Sequence, residues 1–305
     1  MSRPAIQLYS VRDIDEPLPN IVRRVAAAGF EGVEFANRFP DADARAVADA
    51  LADTGVNAVA AHVDLQEIER NPEAVAERYA TVGCDRLVIP HLPMAHYRTP
   101  SRVDRLARRL DALGARLADH GAELVYHNQS HDFVPMQQPG ALDRLLTAVH
   151  PRARDASTLQ TGLGLAGDRL HERRTSRPTG VPIGRTAFGR LVSTTDPETL
   201  SFELDVGGVA GAGRNPTDVL EFVGDRAPLV HLKDAVTDDP APLADAASVE
   251  PGTGLLDVGA ILRAVEEGDH EWVVYEHDDP ADPIATIRNG AEALIGRDGA
   301  LANDC

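Results

Sequence analysis

Strand-like and helix-like segments alternate through this chain from its first residues, and that rhythm limits the accessible folds more than any motif does. Ala5 to Tyr9 reads as a strand, and an amphipathic helix follows with Ile21, Val22, Val25 and Ala28 on one face and Gly29 as its stop. Further strand signals lie at Gly32 to Phe35, Asn57 to His62, Arg86 to Pro90 and Glu123 to His127. Helical periodicity fills the gaps at Asp41 to Asp53, at Asn71 to Val82, and in a long segment capped by Ser101. In that last helix Val103, Leu106, Leu110, Leu113 and Leu117 form the buried stripe, and Gly121 ends it. Three more strands, Phe202 to Asp205, Leu229 to Asp234 and Trp272 to Glu276, lead to helices near Asn215 to Val223, Asp257 to Glu267 and Asp282 to Ile295. About eight alternations without a Gly-rich dinucleotide turn predict a closed (β/α)8 TIM barrel rather than a doubly wound open sheet. Such a barrel takes about 250 residues, so residues 1–305 read as one domain.

One stretch breaks the rhythm. The gap from Asn128 to Ser201 is far longer than one helix and two short loops require. Ala141 to Val149 and Thr186 to Ser193 both look helical; the second leads directly into strand six and is the expected barrel helix. Residues 134–184 then form an insertion between strands five and six on the catalytic face.

Charge narrows the partners. The formal net charge is -18, and Lys233 is the sole lysine among the basic residues. Exposed carboxylates with almost no lysine point to adaptation to high salt, a halophilic protein. The same charge opposes a nucleic-acid partner, which needs basic patches. Two cysteines, Cys84 and Cys305, make no disulfide framework, and Met1-Ser2-Arg3-Pro4 runs into a strand signal without a signal-peptide core. A cytoplasmic protein without a membrane span is expected; a homo-oligomer is left open.

The last three strand signals all close on metal-type ligands: Asp205, His231 and Glu276. A parallel barrel gathers strand C-terminal ends around one mouth, so side chains distant in sequence converge there on one divalent cation. Mixed oxygen and imidazole donors suit Mn2+, Mg2+, Co2+ or Zn2+. Strand five should add a fourth ligand from Tyr126-His127-Asn128-Gln129-Ser130-His131-Asp132-Phe133. His127 closes the strand; Asp132 is the alternative, folding back to take the position or to act as a base. Glu34 and His62, ending strands two and three, are candidates for binding substrate hydroxyls, and His91 for lining the wall. Lys233 would stabilise a developing oxyanion or bind a polar substrate, or else pair with Asp234. Gly252-Thr253-Gly254 reads as a flexible loop over the rim, and His277 and Asp278 as groups behind the ligands.

At these residues the chain resembles the sugar phosphate isomerase/epimerase group of xylose isomerase-like barrels. The resemblance rests on Ile6-Gln7-Leu8-Tyr9-Ser10-Val11-Arg12-Asp13, Gly32-Val33-Glu34-Phe35, Tyr126-His127-Asn128, Glu203-Leu204-Asp205-Val206-Gly207, Val230-His231-Leu232-Lys233-Asp234 and Tyr275-Glu276-His277-Asp278. It implies a divalent metal at the ends of strands five to eight, with Asp205, His231 and Glu276 at the last three ligand positions. Relatives often carry Glu at the strand-five position, where this chain has His127. The related subgroup often reads Tyr-His-Asn-His and then Glu-Phe; here Gln129, Asp132 and Phe133 stand at those places.

A metal with carboxylate ligands in a polar mouth suits proton abstraction next to a carbonyl, with Glu276 or the strand-five group as base. Return of the proton gives isomerisation or epimerisation of a sugar or sugar derivative. Loss of a β-oxygen gives dehydration of a keto-sugar or keto-inositol, the lyase alternative. An abasic-site endonuclease, which the charge opposes, and a non-catalytic sugar-binding barrel complete the readings.

Overall fold

The computed structural model describes residues 2–137, 181–236 and 247–296. The strands are β1 (Arg3–Gln7), β2 (Gly32–Phe35), β3 (Asn57–His62), β4 (Arg86–Ile89), β5 (Glu123–His127), β6 (Ser201–Asp205), β7 (Leu229–Leu232), β8 (Asp234–Val236), β9 (Ala247–Val249) and β10 (Trp272–Tyr275). Eight of them, all parallel, close in the order β1-β10-β7-β6-β5-β4-β3-β2, while β8 and β9 form a separate antiparallel pair. This is the expected TIM barrel.

Side-chain alternation divides each strand between two environments. Ile6, Leu87, Leu124, Val230 and Tyr275 belong to the core beneath the helices. Their neighbours Ala5, Val88, Val125, Leu229 and Val274 form a second apolar cluster with Trp272, inside the barrel. Two residues further along the inward stripe its chemistry changes: Ala5 gives way to Gln7, Val125 to His127, Leu229 to His231 and Val274 to Glu276. An apolar floor therefore carries a polar mouth. Gly32 is needed at the floor, because a Cβ there would lie 2.5 Å from Val59 and 2.8 Å from Trp272.

The helices are α1 (Leu18–Ala27), α2 (Ala44–Thr54), α3 (Leu65–Arg70), α4 (Pro72–Ala80), α5 (Pro100–Ala118), α6 (Ala187–Thr194), α7 (Val206–Gly211), α8 (Pro216–Val223), α9 (Val258–Glu267) and α10 (Pro283–Leu294). Several boundaries differ from the sequence reading, each for a local reason. β1 stops at Gln7 because its side chain accepts the Tyr9 N–H at 3.2 Å and starts a 3-10 turn. Thr99, not Ser101, precedes α5, with Pro100 in the first turn where its missing N–H is harmless. Asp43 rather than Asp41 caps α2, accepting from Arg45 and Ala46. The helix α3, capped by Asp64, was not anticipated. α6 is capped by Thr186, packs on α5 and leads into β6. Residues 138–180, including Ala141 to Val149, lie outside the described residues. Cys84 is buried and free, and among the described residues no helix is long and apolar enough to cross a membrane.

Candidate functional site

His231 is the hub. Its Nε2 lies 2.7 Å from Glu34 Oε2 and 3.0 Å from Glu203 Oε1, and its Nδ1 lies 3.2 Å from Glu276 Oε2. His62 completes the lower tier, with Nε2 2.9 Å from Glu203 Oε2 and 3.4 Å from Glu34 Oε1. Glu34, Glu203 and His231 are fully buried. Burial opposes charge on every member, and the neighbours decide the outcome. For Glu34 burial is outweighed by the two imidazoles, and its carboxyl lies well below the usual range. For Glu203 burial prevails, with Glu34 beside it, and its carboxyl is raised. His62 is pushed up to about 10 and His231 well above the ordinary imidazole range, because the facing carboxylates outweigh burial.

The upper tier is the mouth. His127 is nearly buried, its ring 5.0 Å from that of His231 and 5.4 Å from that of His62. Burial and those two rings hold it well below the usual imidazole range. The Gln129 amide nitrogen lies 3.0 Å from the Pro90 carbonyl oxygen and 3.1 Å from His127 Nδ1. The opposite ring nitrogen, Nε2, is buried with no partner among the described residues. Burial disfavours ionisation of Glu276, but Lys233, 3.5 Å away, and His231 outweigh it and keep the carboxyl well below its usual range. Lys233 also pairs with Asp278 at 2.6 Å. Asp205 accepts the Gly207 N–H at 2.8 Å, and its backbone is clamped by Asn128, which accepts its N–H at 2.9 Å and donates to its carbonyl at 3.2 Å. Burial lifts the Asp205 carboxyl to about 6, against the pull of Lys233.

Two sets of groups among the described residues bring ligand atoms within 4.8 Å of one another: His127, His231 and Glu276 above, and Glu34, His62, Glu203 and His231 below. Asp205 belongs to neither set; its carboxylate caps α7 beside them. Other expectations change more. Asp132 accepts the Tyr126 hydroxyl at 2.5 Å and the Gln129 N–H at 2.9 Å. Tyr126 alternates with His127 and packs among the outer core aromatics, so Asp132 is held behind the strand, away from the mouth. Lys233 pairs with Glu276 and Asp278 instead of Asp234. Asp234 is fully buried and accepts backbone N–H groups of Ala235, Gly252, Gly254 and Leu256 at 2.8–3.1 Å, which ties the Gly-rich turn down. Glu34 is buried beneath His231, His62 stands at the boundary of the tiers, and His91 is exposed against the His131 ring, apart from both sets. His277 donates its N–H to Ser10 at 2.9 Å, behind the mouth.

Glu203 was missed. The alternation that places Asp205 inward also places the residue two before it inward, and that signal was available. Gln129 had no such signal, because its contact with Pro90 joins two loops.

No protein-family model matches the chain. Curated inosose dehydratase sequences from Lacticaseibacillus casei are 29% identical over 162 residues, 47% of this chain and 54% of theirs, so the match spans about half of each. A sugar phosphate isomerase/epimerase from Parabacteroides distasonis superposes with TM-score 0.66 at 17% identity, covering 96% of this chain and 94% of that one. An IOLI protein with a bound zinc atom gives 0.67 at 14%, covering 96% and 97%. The probable 3-DHS dehydratase AsbF of Bacillus anthracis gives 0.64 at 13%, with both chains fully covered. The fold is that of the xylose isomerase-like TIM barrels, and at these identities the solved structures establish the fold alone.

Proposed function

We propose that this chain is a divalent-metal-dependent enzyme that transfers a proton at the carbon next to a carbonyl in a sugar or sugar derivative, as a sugar isomerase or epimerase does. The observation that carries the reading is the approach, from neighbouring barrel strands, of His231 and ionised Glu276, whose ligand atoms lie within 4.8 Å of each other, with the buried Asp205 carboxyl beside them. This donor set fits a divalent cation: imidazole and carboxylate donors are already desolvated, and Glu34 holds the far nitrogen of His231. A carboxylate that orients a ligating imidazole is a recurrent support of metal sites. Asp205, His231 and Glu276 would hold the metal; when bound it polarises a carbonyl and offsets charge developing on oxygen.

The chain's own groups account for the rest. Glu276 is a carboxylate at neutral pH and accepts the carbon-bound proton. The Asp205 carboxyl, buried at the same mouth, interacts with both Lys233 and Glu276. Lys233 faces both carboxylates and places positive charge at the mouth. The acidic balance of the chain favours a small polar substrate over a nucleic acid.

A dehydratase acting on a keto-sugar or keto-inositol begins with the same proton abstraction. The sequence match to inosose dehydratases favours it specifically. Incubation of a panel of sugars, keto-sugars and inososes in heavy water with Mn2+ or Mg2+ tests both readings. Deuterium at carbon with unchanged composition supports isomerisation or epimerisation, and a product lighter by one water supports elimination. No exchange and no water loss with any metal would reject the enzyme reading.

A further inference from the structure

We propose that His127 serves the substrate and not the cation: it keeps a proton on Nε2 and donates it as a hydrogen bond to the substrate oxygen that gains negative charge. This deepens the proton-transfer reading and rests on it. The assignment follows from Gln129. Its amide nitrogen lies 3.0 Å from the Pro90 carbonyl oxygen, a group that can only accept. Turning the amide over would set two oxygens against each other, so the NH2 end is fixed there. The same nitrogen lies 3.1 Å from His127 Nδ1, and its second hydrogen is free to reach it. Nδ1 must then accept, which excludes a doubly protonated ring and places the one ring proton on Nε2.

Nε2 is the nitrogen that is buried and without a partner among the described residues, and the ring it belongs to stands 5.0 Å from that of His231. It presents a hydrogen toward the mouth where a metal ligand would have to present a lone pair. Such a fixed donor in a buried site is suited to an oxyanion. In the step concerned, the C–H bond breaks and its proton passes to Glu276. The C–H electron pair becomes the new carbon–carbon π bond, the carbonyl π pair moves to oxygen, and His127 keeps its proton throughout.

The test uses the full chain equilibrated with manganese, desalted, and assayed for metal content and for deuterium exchange. His127→Ala should keep the parental metal content and slow exchange by about 100-fold or more through kcat, with KM little changed. His127→Gln, which restores an N–H donor near the Nε2 position but is a poor ligand, should recover about 10-fold of that loss. Loss of metal from His127→Ala, or a glutamine variant as slow as the alanine one, would overturn the proposal. Nitrogen-15 spectra of the zinc-loaded parent provide an independent readout: a protonated Nε2 supports the assignment, and a metal-bound Nε2 refutes it. If the parent exchanges no sugar, the reaction reading fails by itself and the nitrogen spectrum decides the role of His127.

Discussion

Removing His231 should destabilise the metal-free protein, beyond abolishing the proposed metal site. The ring lies within 2.7–3.2 Å of carboxylate oxygens of Glu34, Glu203 and Glu276. Glu34 and Glu203 are fully buried and cannot turn to solvent when the ring is gone. Breaking a buried ion pair by deleting one partner costs about 3–5 kcal/mol. At about 2 °C per kcal/mol for a domain of this size, His231→Ala should melt roughly 6–10 °C below the parent. The assay is scanning calorimetry at pH 7 in a chelator. Both charges are in place there, because Glu34 titrates below its usual range and His231 above its own. Stability from Glu34 is lost as pH falls through its lowered folded value, and stability from His231 is lost as pH rises through its raised one. The double variant Glu34→Gln/His231→Ala removes one stranded carboxylate and should melt at least about 2 °C above His231→Ala, a recovery of about 1 kcal/mol that is a lower bound on the coupling, since the cost of Glu34→Gln alone adds to it. A single variant within about 2 °C of the parent, or a double variant melting lower than the single one, would refute the buried-pair reasoning.

Two further outcomes follow from the same geometry. Asp234→Ala leaves four backbone donors without their charged acceptor and should cost about 2–4 kcal/mol. Hydrogen exchange should speed up by at least about tenfold in peptides covering 250–256 and stay unchanged in the barrel strands; an unchanged loop would contradict the clamp. Asp132→Asn should keep the parental metal content, because that carboxyl faces Tyr126 behind the strand, while stability falls by about 1–2 kcal/mol. Loss of metal in that variant would return Asp132 to the ligand set.

Much of the site was legible because barrel geometry is periodic. Asp205, His231 and Glu276 each close a strand, and the structure brings His231 and Glu276 within 4.8 Å of each other while Asp205 caps the helix beside them. Glu203 obeys the same alternation one step deeper, two residues before Asp205 on the inward stripe of β6. Asp132 could not be placed this way. It lies beyond the strand in a 3-10 turn, and whether such a turn folds toward or behind the sheet depends on its partner, here Tyr126. Lys233 and Asp234 are adjacent in sequence yet diverge, because successive residues of an extended chain point opposite ways: one meets Glu276, the other the Gly252 turn.

The sequence by itself determined the alternation of elements, the closed parallel barrel, and the set of strand ends that carry acids and imidazoles. These are consequences of local pattern, since hydrophobic periodicity fixes which face of each segment is buried. Only the tertiary structure decided that His231 joins two tiers, that Glu34 lies beneath it, and that Gln129 fixes the His127 ring. Those facts depend on contacts between residues 30 to 200 positions apart or in separate loops, where hydrogen-bond direction and desolvation are set by neighbours that no local pattern contains.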